Sequence, residues 1–258
     1  MSPHPKILVK QEARVAIITI NRPEVRNAVD GETADLLYQA FSEFDQSEHL
    51  DVAILTGAKG TFCAGADLKA VSEGHGNRVT VEGKGPMGPT RMKLSKPVIA
   101  AVEGFAVAGG LELACWCDLR VVAEDAQFGV FCRRWGVPLI DGGTIRLPRL
   151  IGHSRAMDMI LTGRAMAAAE AQSTGLANRL CKSGQALDEA ISLAESLSAF
   201  PQLCLRADRL SALDQWSLSE NEALAQETIG GLDVIRSGET REGATRFAQG
   251  SGRHGAFE

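Results

Sequence analysis

At 258 residues, with 45% hydrophobic and 23% charged side chains, the chain is sized for one large hydrophobic core and is too apolar for wholesale disorder. A formal net charge of −5 and only 5% aromatic residues exclude the basic footprint and the stacking surface of a nucleic-acid binder. No run reaches the ~18 apolar residues that a membrane-spanning helix needs, and the longest candidate, Gly104 to Cys117, carries Glu112 in its interior.

The N-terminal Met-Ser-Pro-His-Pro-Lys lacks the apolar core of a secretory signal. Six cysteines (63, 115, 117, 132, 181 and 204) are scattered along a chain large enough to fold without staples. Cys115-x-Cys117 has neither a second pair nor nearby histidines, so no metal site is expected. The cysteines read as reduced and structural, in a cytoplasmic protein.

In chain order, Ile7 to Val9 and Arg14 to Ile20 are β-branched runs that predict a hairpin, with Lys10-Gln11-Glu12 as its turn and Asn21-Arg22-Pro23 as its stop. Asp30 has the character of an N-cap, and Leu37, Phe41 and Phe44 then recur at helical spacing. Val52 to Gly57 predicts a short buried strand. Gly74 to Pro89 is polar, Gly-rich and without period, as in a mobile loop. Val98 to Val102 predicts another buried strand, a helix starts near Gly109-Gly110, and Leu119 to Val122 is again a strand. After about residue 145 the pattern becomes helical. Leu187, Ala190, Ile191, Ala194 and Leu197 form an amphipathic stripe closed by Phe200-Pro201, and further helices follow Pro201 and cover Ser219 to Ile229. Strands alternating with helices, then helices alone, define an α/β core over residues 1–200 with a helical region over 201–258 in the same functional unit.

Two glycine-containing segments follow predicted strands directly: Gly60-Thr-Phe-Cys-Ala-Gly-Ala-Asp-Leu68, and Glu103-Gly-Phe-Ala-Val-Ala-Gly-Gly-Leu-Glu-Leu-Ala114. Backbone N–H groups at such strand-to-helix junctions are free, and the helix dipole adds positive potential. Two of them converging on one oxygen make an oxyanion hole, and small residues let a substrate reach the backbone. Tight helix–strand packing is the competing explanation for the same glycines.

Taken together these segments resemble the crotonase, or enoyl-CoA hydratase/isomerase, superfamily. The resemblance spans nearly the whole chain. It runs from Asn21-Arg-Pro23 with Asn27-Ala28 through Phe62-Cys-Ala-Gly-Ala-Asp67, Lys96-Pro97 and Ala101-Val-Glu-Gly104. It continues through Gly109-Gly-Leu-Glu-Leu-Ala114, Cys117-Asp118, Ala126-Gln-Phe-Gly129, Gly142-Gly-Thr144, Arg149-Leu-Ile-Gly152 and Leu161-Thr-Gly163. It implies a spiral of ββα units with a C-terminal helical region used for trimerisation, giving a homo-trimer or dimer of trimers. It also implies an acyl-CoA thioester substrate, an enolate intermediate, and no cofactor beyond the substrate's own coenzyme A. In the matching positions the oxyanion donors are the N–H groups of Ala66 and Gly109. Val25, Arg26, Ala64, Asp67 and Leu68 lie where the family holds CoA and acyl groups, Asp67 as a loop-ordering cap rather than a catalyst.

Glu112 matches the first of the two catalytic glutamates of the hydratases. A lone acid among Gly110, Leu111, Leu113 and Ala114 is desolvated, which raises its pKa toward acid/base use; pairing with the helix dipole is the plainer alternative. The second glutamate of the pattern is missing, and Cys132 stands in its place. A buried thiol is mostly protonated and cannot activate water as a carboxylate does. The nearest downstream acid is Asp141, which either serves as the second acid/base or caps a helix beginning near Thr144. Arg133, Arg134 and Trp135 point either to an acyl group other than a plain fatty chain or to a subunit interface. Three functions therefore stand: an enoyl-CoA hydratase, a single-base 3,2-enoyl-CoA isomerase, or a catalytically weak acyl-CoA binder.

Overall fold

The computed structural model describes residues 5–252. The chain divides between Leu197 and Ser198 into two compact units.

The first unit is built on a six-stranded sheet. Strands β1 (Ile7–Glu12) and β2 (Val15–Ile20) form the antiparallel hairpin at its edge, with Ile7 opposite Ile20 and Glu12 opposite Val15. The hairpin turns at Ala13-Arg14, with Ala13 at φ 48°, not at Lys10-Gln11-Glu12, which belong to β1. An edge strand exposed along most of its length accommodates those polar residues. Beyond β2 every pairing is parallel: β3 (Val52–Gly57), β4 (Val98–Val102), β6 (Leu119–Ala123) and β9 (Arg179–Cys181) extend the sheet in that order. A second sheet holds β5 (Phe105–Val107), β7 (Gln127–Gly129) and β8 (Ala165–Ala167). Strands β8 and β9 lie where the sequence predicts helices alone.

The helices of this unit follow from strand alternation. Val15, Ile17, Val52, Ile54, Ile99, Ala101 and Val121 share one face of the large sheet, where α7 (Ala186–Ser198) covers them with Ala190, Leu193 and Ala194. Their alternates, among them Ala16, Ile18, Leu55, Ala100 and Val122, face α1 (Gly31–Gln46) and α3 (Gly109–Trp116). Asp30 caps α1 by accepting from the Thr33 N–H, and Leu37, Phe41 and Phe44 are buried. Three shorter helices, α4 (Gly143–Ile151), α5 (His153–Thr162) and α6 (Ala168–Thr174), and the one-turn α2 (Leu68–Ser72) complete the unit. The repeat is visible in the order β4–β5–α3 and then β6–β7–α4: a strand of the large sheet, a strand of the small one, a helix. Arg120 on β6 ties this together: its buried guanidinium donates to the carbonyls of Ala114 and Cys117 at the end of α3, and to that of Leu176.

The second unit holds α8 (Gln202–Asp214), α9 (Glu220–Ser237) and α10 (Glu239–Ala248). A capping box between Ser219 and Glu222 starts α9, and Gly238 at φ 94° ends it eight residues beyond the predicted Ile229. Only Val234 is buried among the residues of these helices, while Leu203, Leu224, Ile229, Ile235 and Phe247 are exposed. No helix among the described residues is long and apolar enough to cross a membrane.

Candidate active site

The two glycine segments meet. Ala66 pairs with Val29 in an isolated parallel bridge: the Val29 N–H donates to the Gly65 carbonyl, and the Asp67 N–H to the Val29 carbonyl. Both bonds use the neighbours of Ala66, so its own N–H faces the other way, with no acceptor among the described residues. Gly109 opens α3, where the first-turn N–H groups have no carbonyl of their own helix to reach. A Cβ on Gly65 (φ 98°) would lie 2.9 Å from the Gly109 nitrogen, so only glycine lets these backbones approach so closely. One position further on, a Cβ on Gly110 would collide with the Cys63 carbonyl. Tight packing and free donors are thus properties of the same turn.

A cavity of about 650 Å³ opens beside them, lined by Ala66, Gly109, Glu112 and Asp141 among others. Glu112 is 2% exposed. Its Oε1 accepts from the N–H groups of Asp141 (2.9 Å) and Gly143 (2.8 Å), which fixes the carboxylate against the turn before α4. Burial pushes its pKa up to about 7, against the pull of those hydrogen bonds. A Cβ on Gly143 would stand 2.9 Å from Oε1, so that turn too requires glycine.

Asp141 is not a helix cap. Gly142 holds the cap position of α4 and no side chain bonds to the helix there. The Asp141 carboxylate instead reaches back to the segment before β4: its Oδ1 accepts from the Met87 N–H at 2.9 Å and from the Thr90 hydroxyl. Burial raises its pKa as well. Two carboxyl groups of elevated pKa therefore line one cavity, held by backbone donors.

Arg26, Ala64, Leu68, Cys132 and Trp135 also line the cavity. Burial pushes the Cys132 thiol up, with Glu112 adding to the effect. Val25 and Asp67 do not line it. Asp67 caps α2 through the Lys69 and Ala70 N–H groups and pairs with Arg22 at 3.0 Å, which holds the residue after Ala66 in place. Arg133 and Arg134 are bound to the Ile160 and Gly163 carbonyls, while Trp135 is 71% exposed at the cavity. Met87 and Asn77 line the cavity from the aperiodic 74–89 segment, and Thr90 and Arg146 brace it; none of the four is marked by a motif or a period. No group of three or more His, Cys, Asp or Glu among the described residues could hold a metal ion.

Comparison with known proteins places the chain in a family. The enoyl-CoA hydratase/isomerase family profile matches residues 10–252. An enoyl-CoA hydratase of Mycobacterium tuberculosis, EchA19, is 38% identical over 95% of this chain and 94% of its own. A carnitinyl-CoA dehydratase of Salmonella arizonae is 36% identical over 90% of this chain and 91% of its own. The crystal structure of the enoyl-CoA hydratase EchA1 from Mycobacterium marinum superposes with a TM-score of 0.90 at 41% identity, covering 95% and 96% of the two chains. The chain belongs to the enoyl-CoA hydratase/isomerase family and has the crotonase fold.

Proposed function

We propose that the chain hydrates a trans-2-enoyl-CoA thioester, with Glu112 and Asp141 dividing the proton transfers. Its family makes it an enoyl-CoA hydratase-type lyase; the residue roles are our reading. The observation that carries it is the convergence on one cavity of two free backbone donors and two buried carboxyl groups. The Ala66 and Gly109 N–H groups receive the thioester oxygen as negative charge develops on it, and the dipole of α3 adds to the stabilisation. Ionised Glu112 takes a proton from water, and the hydroxide adds to the β-carbon. The electron pair of the double bond moves to the α-carbon and the thioester oxygen, and protonated Asp141 supplies the α-proton. Exchange with solvent then restores both acids. Nothing in this sequence calls for a cofactor beyond the coenzyme A of the substrate, and six thiols outside any disulfide agree with a cytoplasmic setting.

A second reading is favoured by one position. Cys132 lines the cavity in place of the second glutamate, and its thiol stays protonated. If Asp141 only braces the Met87–Thr90 turn, Glu112 alone remains, which serves a 3-enoyl to 2-enoyl isomerase. Asp141→Asn decides between them. The hydratase reading expects crotonyl-CoA hydration to fall at least about tenfold; unchanged hydration, or faster turnover of 3-enoyl-CoA than of crotonyl-CoA by wild type, favours the isomerase. An inert wild type that still binds both would leave a binder.

We also infer self-assembly into a trimer or a dimer of trimers. Its support is the second unit, whose helices leave Leu224, Ile229, Ile235 and Phe247 exposed. Light scattering at micromolar concentration checks it, and a monomeric mass overturns it.

A further inference from the structure

Behind the turn that holds Glu112 lies a cation to which the mechanism above gives no task. Arg146, in the first turns of α4, is half-buried. Its guanidinium forks between two carbonyls: Nη1 donates to Asp141 at 2.9 Å and Nη2 to Thr90 at 2.7 Å. Thr90 in turn donates its hydroxyl to the Asp141 carboxylate, and the Asp141 N–H donates to Glu112. Through the backbones of Thr90 and Asp141, hydrogen bonds thus link the guanidinium to both acids. Gly142, between Asp141 and Gly143, sits at φ 95° with the guanidinium against its Cα, where a Cβ would strike Nη1. The turn therefore rests on Arg146 directly.

We propose that Arg146 is a positioning residue for the reaction, setting the geometry of the turn that fixes Glu112 and Asp141 and favouring the charged form of Glu112. The proposal rests on the acid/base roles given above to those two residues. Its electrostatic half follows from what faces Glu112. Asp141 from the preceding turn, and the thiols of Cys132 and of Cys115 on its own helix, either oppose its charge or are neutral. Arg146, bonded to the carbonyl of the residue whose N–H holds Glu112, is a cation that favours it. The guanidinium itself stays charged despite a pKa lowered by burial, because arginine starts far above neutrality. Its geometric half follows from the fork, which a single ammonium cannot reproduce.

The test separates the two halves. Arg146→Met removes both, and is expected to lower kcat on crotonyl-CoA by roughly ten- to a hundredfold, with KM within about threefold. It should also shift the acid limb of the kcat–pH profile upward by about one unit. Arg146→Lys keeps the charge without the fork: its acid limb should stay at the wild-type pH while kcat recovers only in part. If Arg146→Met does not fold, Arg146→Gln, which keeps a donor without the charge, carries the same shift. An infrared titration of the Glu112 carboxyl, assigned by its loss in Glu112→Gln, reads that shift without turnover, so a failure of the assigned acid/base roles is told apart from a failure of this proposal. A folded Arg146→Met or Arg146→Gln whose acid limb and carboxyl titration match wild type overturns the electrostatic half. An unchanged kcat overturns the geometric half, and so does a full recovery by Arg146→Lys.

Discussion

Helices α3 and α9 treat their polar and apolar residues in opposite ways. Of the eight residues of α3, seven are buried, and one of these is a glutamate; of the eighteen in α9, one is buried, and leucines and isoleucines face outward. Burying a carboxyl costs free energy unless it is neutral or well bonded, and exposing an apolar stripe forgoes the gain of covering it. Each helix therefore carries an energetic demand. In α3 it is met by two N–H groups and a raised pKa, and we read it as catalysis; in α9 we read it as assembly.

The comparison breaks most visibly at Glu112. Glu112→Gln keeps the two hydrogen bonds to Oε1 but removes the titrating group, so kcat on crotonyl-CoA should fall ~10²–10⁴-fold with binding within a few-fold. Retention of a tenth of wild-type turnover would remove Glu112 from the mechanism. Next is Gly109→Pro. Proline is tolerated at the first position of a helix, and a Cβ there meets only the flexible side chain of Met87, so the main loss is one N–H donor. The barrier should rise by roughly 2.7–4 kcal/mol in an enzyme whose crystal structure is otherwise unchanged.

A third outcome concerns stability. The folded pKa of Glu112, about 7, exceeds its ordinary 4.5, so the folded state binds the extra proton between these values and loses stability as pH rises through that window. Glu112→Gln is then stabilising above pH 7, by an amount on the order of 3 kcal/mol, and close to neutral below pH 4.5. Chemical denaturation at pH 8 and pH 4.5 measures both; equal effects at the two values would show that folding does not raise the pKa of this carboxyl. The smallest effect on the fold itself belongs to α9. Replacing Leu224 and Ile235 by lysine should alter the chain's own stability by no more than about 0.5 kcal/mol per site while abolishing the self-association we infer for this unit.

Much of the first unit was legible in the sequence because its strands are continuous apolar runs buried on both faces, as with Ile54 and Leu55 or Ile99 and Ala100. Strands β8 and β9 were not, since three residues are too few to display a period. The hairpin turn escaped because Ala13 adopts a positive φ that alanine does not advertise. In the site, Glu112 stood out as an acid in an apolar run. Asp141 was visible as an acid, but its actual partners, Met87 and Thr90, lie some fifty positions earlier. A favourable cap residue near a helix start is a local signal, and here a long-range pair of donors outcompeted it.

Arg120 has a consequence for how the chain acquires its structure. Its guanidinium donates to the end of α3 and also to the Leu176 carbonyl, while its N–H donates to Asn178, 58 positions along. Strand β9, which starts at Arg179, is likewise the last strand of the large sheet along the chain. The full set of Arg120 bonds at the end of α3 is thus complete only once the chain extends to Leu176 and Asn178. Such non-local closure is slow. During synthesis the Glu112 carboxyl likewise lacks both of its N–H partners until Asp141 and Gly143, about thirty positions later, have been added.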